Sequence, residues 1–209
     1  MLGCMERMLD RDTGEVMAIL RGAVASSGLS QAGFARAMGT SAARLSTYLN
    51  GETRPSAYFL VRGVRLGRGL GSAAARGLMS APTTAAAMRE HYLSDDVAWT
   101  WRMLLQGRDH LVLILAGDDG DRAELLAGWE AAPGSVGDPA WDTFLAAVVM
   151  HEFEQAGLTP PSWATDRAPL SGPWMPEHPF LSRERVEAQT PAWLRRRNIF
   201  VPQRDLVSA

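Results

Sequence analysis

Residues Leu29 to Ser56 read LSQAGFARAMGTSAARLSTYLNGETRPS, and the spacing of caps and apolar side chains in this stretch decides the fold. Ser30 stands where a helix N-cap is needed, with Leu29 before it and Phe34 four residues inside, the pairing of a hydrophobic staple. Phe34, Ala35 and Met38 supply an inner face, and Gly39 can take the left-handed conformation that ends a helix. Only Thr40 and Ser41 precede the next helix, which Ser41 caps and whose inward side is Leu45, Tyr48 and Leu49. Ala42, Ala43, Arg44, Ser46 and Thr47 then point elsewhere, a small and polar set. Asn50-Gly51 closes this helix, and Arg54-Pro55-Ser56 opens another whose Leu60, Val61 and Val64 are expected to return to the core.

Working outward, residues 13 to 28 predict a preceding helix with Thr13 as N-cap, Val16, Ile19, Leu20 and Ala23 on its buried face and Gly28 as its stop. Gly67 to Pro82, where Gly, Ala and Ser dominate and hydrophobic periodicity fades, is a candidate boundary. From Pro82 the pattern is again helical: Thr83 or Thr84 caps Ala85 to Tyr92, and Ser94-Asp95-Asp96 caps a helix carrying Val97, Trp101 and Leu104 or Leu105. The apolar run Leu111 to Ala116 reads as a core helix in preference to a buried strand, and Gly117 to Asp121 as a turn. Two further helices over 121–131 and 141–156 flank a Gly/Pro loop at 132–139. Beyond Leu158 the chain turns proline-rich, and all seven tryptophans lie at or after Trp99. The expectation is an all-α protein: a helical bundle over residues 12–71, an acidic helical domain over 82–158, and a Pro/Trp/Arg-rich segment over 159–209 that packs on the helical domain or on a partner. Within that segment, Pro191 to Pro202 predicts a short helix with three consecutive arginines and then a strand-like Ile-Phe-Val piece. It is expected to dock on the acidic block of its own chain, or otherwise to contact nucleic acid or a protein.

Charge divides the chain more sharply than the net value of −2 suggests. Val16 to Arg89 holds nine arginines against the single acid Glu52, whereas Glu90 to Asp166 holds fourteen acids against three arginines. A +8 block suits phosphate binding, because each neutralised phosphate releases condensed counterions. Every basic residue is arginine, which favours phosphate and guanine contacts but also follows from a GC-rich coding sequence. A hydrophobic content of 46% with 21% charged residues excludes an intrinsically disordered chain. Cys4 stands alone, so an intramolecular disulfide and a thiolate metal cluster are both excluded. The opening residues carry acids and arginines where a secretory signal needs an apolar run, and no window reaches the ~18 apolar residues of a membrane span. A cytoplasmic protein without membrane contact is expected.

Leads to an enzyme are poor. His151-Glu152 resembles the start of a helical zinc motif, but Gln155 stands where the second histidine belongs. His91, His110, His151 and His178 have no partnered serine or cysteine at a recognisable elbow, and no phosphate loop of the Walker type occurs. No catalytic residue, metal or cofactor is expected.

A helix, a tight turn and a second helix with a small polar outer face is the geometry that places the second helix in the major groove. The stretch 29–56 resembles the lambda-repressor and Cro-like helix-turn-helix family, through Leu29-Ser30-Gln31, Ala35, Met38-Gly39, Leu45, Asn50-Gly51 and Pro55-Ser56 at matching spacings. The resemblance covers about sixty residues and implies that Gln31 bonds a phosphate and braces the recognition helix. It places Ala42, Ala43, Ser46 and Thr47 where that family reads bases and Asn50 at a backbone contact, and Thr40, Ser41 and Arg54 are further DNA-binding candidates. Glutamines often fill the first base-reading positions in that family. Here Ala42 and Ala43 stand there, so Arg44 is expected to compensate at a guanine or a phosphate. The function implied is a dimeric DNA-binding regulator, a repressor on a pseudo-palindromic operator. One form of it is an autoregulating antitoxin that holds a toxin partner through the acidic and C-terminal regions, since residues 192–206 loosely resemble endings of actinobacterial proteins paired with nucleotidyltransferase-like toxins. The alternative is an assembly module whose helix-turn-helix does not bind DNA.

Overall fold

The computed structural model describes residues 10–117 and 119–207, so Cys4 lies outside the described residues. The helices are α1 (Arg11–Ser26), α2 (Gln31–Ala37), α3 (Ala42–Leu49), α4 (Ala57–Ala75), α5 (Ala81–Leu93), α6 (Val97–Leu115), α7 (Asp119–Glu130) and α8 (Pro139–Gln155). The short α9 (Ser162–Thr165), α10 (Arg183–Gln189) and α11 (Ala192–Arg195) follow, and then a 3-10 turn at Gln203–Leu206. The fold is all-α, as expected. None of the helices among the described residues is long and apolar enough to cross a membrane.

Local chemistry starts most helices where the sequence places them. The Ser30, Ser41 and Ser56 hydroxyls accept from the backbone N–H of Gly33, Arg44 and Phe59 at 3.1, 3.1 and 3.2 Å, and Asp96 accepts from Trp99 at 3.0 Å. Two caps differ from expectation. Helix α1 begins at Asp10, because its carboxylate accepts both the N–H and the hydroxyl of Thr13, at 2.9 and 2.8 Å. Helix α5 is capped at Ser80, whose N–H donates to the Thr83 hydroxyl at 2.8 Å, so Thr83 is the reciprocal partner three residues inside. The apolar run Leu111 to Ala116 is the last turn and stop of the single helix α6, with Leu111 and Ile114 buried.

The stretch Gly67 to Pro82 contains the last two turns of α4, which runs to Ala75, and the connection to α5 at Ala81. The glycines of α4 are packing surfaces. Gly63, Gly67 and Gly71, one per turn, face Leu20, Ala23 and Ser26 in the same order, so α1 and α4 run parallel in close contact. A Cβ built on Gly67 would stand 2.5 Å from the Ala23 carbonyl oxygen, and one on Gly71 2.5 Å from that of Ser26. On the other side of α4, a Cβ on Gly69 would stand 2.4 Å from the Glu124 carbonyl oxygen of α7. Because α4 meets its neighbours through glycine backbone as well as through the buried Leu66 and Leu70, the expected core positions shift. Val61 is 67% exposed, and on α1 Ile19 is 47% exposed while Thr13, Met17, Leu20 and Ala23 form the buried stripe.

Helix α7 joins the two halves. Its Ala127, with Ala131 just after it, belongs to the core built on Phe34, Leu45 and Leu66, while Leu125, Leu126 and Trp129 belong to the core of α5, α6 and α8. The Ala132 N–H donates to the Ala37 carbonyl at 3.2 Å, tying the end of α2 to this region. Arg65 pairs with the half-buried Glu130 at 2.6 Å, and Arg76 with Asp121 at 2.9 Å at exposed positions where such a pair contributes little net stability.

The second core is aromatic: Trp101, Trp141, Phe144 and Trp174 form a cluster with ring centroids 5.3 to 6.2 Å apart. The C-terminal segment docks on it through Leu194, Ile199, Val201 and Leu206, all buried. The strand-like Ile-Phe-Val piece amounts to a parallel bridge between Ile199 and Trp174. The segment thus packs on the acidic block of its own chain, through apolar side chains. Arg195 donates to the carbonyls of Thr190 and Ala188, and Arg197 to that of Arg167, answering carbonyls left open by short helices and turns. Polar links run both ways: Arg108 of α6, paired with Glu152 of α8 at 2.6 Å, donates to the Leu206 carbonyl at 2.8 Å, and Arg167 pairs with Asp142 of α8 at 3.7 Å.

His151 of α8 lies flat against Trp193, with centroids 4.2 Å apart and planes within 6°. Burial holds its pKa below the ordinary 6.5, outweighing the opposite pull of Glu152 and Glu154, while Arg108 adds to the depression. As pH falls below 6.5 the unfolded chain therefore takes this proton before the folded chain does, and stability is lost. The melting temperature of His151→Phe, which keeps the stacked ring, is expected to fall less between pH 6.5 and 5 than that of the parent. Equal slopes in thermal melts would remove His151 from the acid response.

Candidate nucleic-acid interface

Helix α3 lies between a built support and solvent. Leu45, Tyr48 and Leu49 are buried against Phe34, Ala35 and Met38 of the α2 region, and Leu29 packs on the same cluster as half of the expected staple. The connection Met38 to Ser41 turns on Gly39, whose φ of 72° disfavours any residue with a Cβ. Both ends of α3 are held: Ser41 caps the first turn, and Arg21 of α1 donates to the Leu49 carbonyl at 2.7 Å. That guanidinium answers one of the carbonyls left open at the helix C-terminus and opposes the negative end of its dipole.

The outer face of α3 carries the residues expected to read bases. Ala42, Ala43 and Arg44 are exposed, as is Ser41 before them, and Ser46 and Thr47 are half-buried on the same helix. Asn50 is exposed at the C-cap, with its amide 3.5 Å from both the Ser46 hydroxyl and a Glu52 carboxylate oxygen. Gln31 is exposed in the first turn of α2 and makes no side-chain hydrogen bond within the described residues, while Thr40 is half-buried in the turn. Local structure thus brings Gln31 and residues 40–50 onto one continuous segment of α2, turn and α3.

Two expected contacts are already engaged. The Arg44 Nε donates to the Tyr48 hydroxyl at 2.8 Å, and the guanidinium lies over that ring at 5.8 Å from its centroid. Arg54 pairs with Asp10 at 2.7 Å, beyond α3 and beside the cap of α1. The Asp10 carboxyl is held below the usual carboxylate range, first by the Thr13 N–H and then by the Thr13 hydroxyl, with Arg54 adding to the effect. The Thr47 hydroxyl donates to the Arg44 carbonyl at 2.9 Å and keeps its lone pairs as acceptors. Of the nine arginines in the basic block, Arg36, Arg62 and Arg68 have no polar partner among the described residues. Arg21, Arg44, Arg54, Arg65, Arg76 and Arg89 are all occupied. The summed charge of +8 therefore overstates the positive charge offered to a ligand. Sequence reasoning missed Arg21, whose role depends on a carbonyl 28 residues away. No protein-family model, curated protein or solved structure matches this chain.

Proposed function

We propose that the chain is a sequence-specific DNA-binding regulator that acts as a dimer and inserts α3 into the major groove. The observation that supports this reading best is α3 itself: a helix fixed at both ends and along its inner side, whose outer face is small and polar from Ala42 to Thr47. Small side chains let a helix approach base edges closely, alanine methyls can meet thymine methyls, and serine or threonine hydroxyls can bond bases or phosphates. With two alanines at the front, specificity rests on Arg44, Ser46, Thr47 and DNA shape. Gln31, exposed at the first turn of α2, supports the reading as a donor to a phosphate.

A second reading, an assembly module that does not bind DNA, is favoured by the engagement of Arg44 with Tyr48 and of Arg54 with Asp10. Exposed contacts of this kind are weak against solvent and yield readily to a phosphate. A footprint over the region upstream of the chain's own gene separates the two readings. Protection of two half-sites about 10 bp apart, or a multiple of that spacing, is expected, and an unprotected region favours the assembly module.

A further inference from the structure

The C-terminal half contains a groove of about 1150 Å³ between α6 and the chain segments around residues 176–180 and 200–207. Drug-sized ligands occupy pockets of roughly 300–1,000 Å³ lined mostly by apolar groups with a few convergent polar ones. We propose that this groove binds a small molecule with an aromatic or otherwise apolar body and an anionic edge, a site independent of α3.

The argument begins with periodicity on α6. Val97, Trp101 and Leu105 follow one another at intervals of four and form an apolar stripe on the groove, while Leu104 and Leu111 serve the core behind. Beside that stripe run Arg102, Gln106 and His110, also at intervals of four and covering about 12 Å of helix. All three are donors. His110 accepts the Met79 N–H on Nδ1 at 2.9 Å, so its ring proton sits on Nε2. Arg102 lies over the Trp99 ring, 4.9 Å from its centroid, and has no carboxylate partner among the described residues.

The acids of the groove are mostly spent. Asp109 pairs with Arg108 at 3.6 Å, and Asp205 is held by His178 at 3.2 Å and Arg204 at 3.6 Å, which leaves Glu177 at the rim. The far wall is built, not incidental. His178 accepts the N–H groups of Phe180 and Leu181 on Nδ1, at 3.0 and 2.9 Å, while its Nε2 faces Asp205. With both ring nitrogens engaged, His178 shapes the wall and is not available as a base. That turn carries Phe180, which is 86% exposed at the groove. An apolar floor beside a row of unspent donors matches an apolar anion and disfavours a cation.

The test uses the full chain and two fluorescent probes that share an anilinonaphthalene body, one bearing a sulfonate (1-anilinonaphthalene-8-sulfonate) and one uncharged (N-phenyl-1-naphthylamine). Saturable binding of one sulfonate probe per chain is expected. Leu105→Glu, a half-buried position that tolerates a polar head, is expected to weaken both probes at least tenfold with an unchanged thermal melt. Arg102→Glu is expected to weaken the sulfonate probe several-fold and leave the uncharged one unchanged, and Val61→Glu, at an exposed position of α4 outside the groove, is expected to change neither. Binding that survives Leu105→Glu overturns the proposal, because the dye then sits elsewhere. A dimer in solution that Leu105→Glu dissociates overturns it as well, because the groove is then covered by a second copy. Loss of DNA binding by an α3 variant leaves these readouts untouched.

Discussion

Gly67→Ala is expected to destabilise the protein by about 2–4 kcal/mol, the reverse of what the same exchange does in an ordinary helix. Within a solvent-facing helix, alanine is favoured over glycine by roughly 0.5–1 kcal/mol, because glycine loses more backbone freedom on folding. At position 67 the new Cβ would lie 2.5 Å from the Ala23 carbonyl oxygen and 2.9 Å from the Ala23 Cα. Both atoms are backbone, so no rotamer change relieves the clash and α1 as a whole has to move. Gly22 of α1 supplies the control, since nothing lies within 4 Å of a Cβ built there. Gly22→Ala is therefore expected to raise the melting temperature by about 2–3 °C, and Gly67→Ala to lower it by about 5 °C or more. A neutral or stabilising Gly67→Ala in thermal melts would show that α1 and α4 do not approach as closely as described. Because α1 also carries Arg21, which caps α3, a shift of α1 is expected to weaken DNA binding too.

The second large effect concerns α3. Ala43→Glu is expected to reduce DNA affinity by about 100-fold or more, on the order of 3 kcal/mol, while the fold is retained. Ala43 is exposed and occupies the second position of α3, inside the positive end of the helix dipole. A carboxylate there stabilises the helix slightly, so lost binding cannot be ascribed to unfolding. Against DNA the same carboxylate meets phosphates and carbonyl edges of like polarity. Arg44→Ala removes one cation and is expected to cost less, about three- to tenfold, because part of its contact energy in DNA is offset by release of the Tyr48 hydroxyl. Unchanged affinity in Ala43→Glu, measured by titration of a labelled duplex, would move the interface away from α3.

Features set by neighbours in sequence are legible in the sequence alone. Ser30, Ser41, Ser56 and Asp96 cap helices because a side-chain oxygen reaches an N–H two or three residues on, and Gly28 and Gly39 end helices through their own backbone conformation. The inner and outer faces of α3 followed from the 3.6-residue period. Features set by distant partners were not legible. The stretch from Gly67 read as a break because glycine lowers both helix propensity and hydrophobicity, while Ala23 and Glu124, the backbones packed against Gly67 and Gly69, lie more than 40 residues away. Ile19 and Val61 are apolar but face solvent, since the helices that would cover them meet through glycines on another side. Charge along the chain could not separate Arg65 and Arg76, consumed by Glu130 and Asp121, from Arg36, Arg62 and Arg68. The groove on α6 was hidden for the same reason: Trp101 and Leu105 look like core in one dimension, and the opposite wall comes from residues 176–207.

The central claim, that α3 reads duplex DNA, is tested most directly by fluorescence anisotropy with duplexes from the region upstream of the chain's own gene, across a range of salt. With Arg44 and Arg54 of each chain neutralising phosphates, four in a dimer, affinity is predicted to fall on the order of 100-fold between 50 and 200 mM salt, and to favour one duplex over unrelated sequence. Absent binding, or binding indifferent to both salt and sequence, would contradict the account.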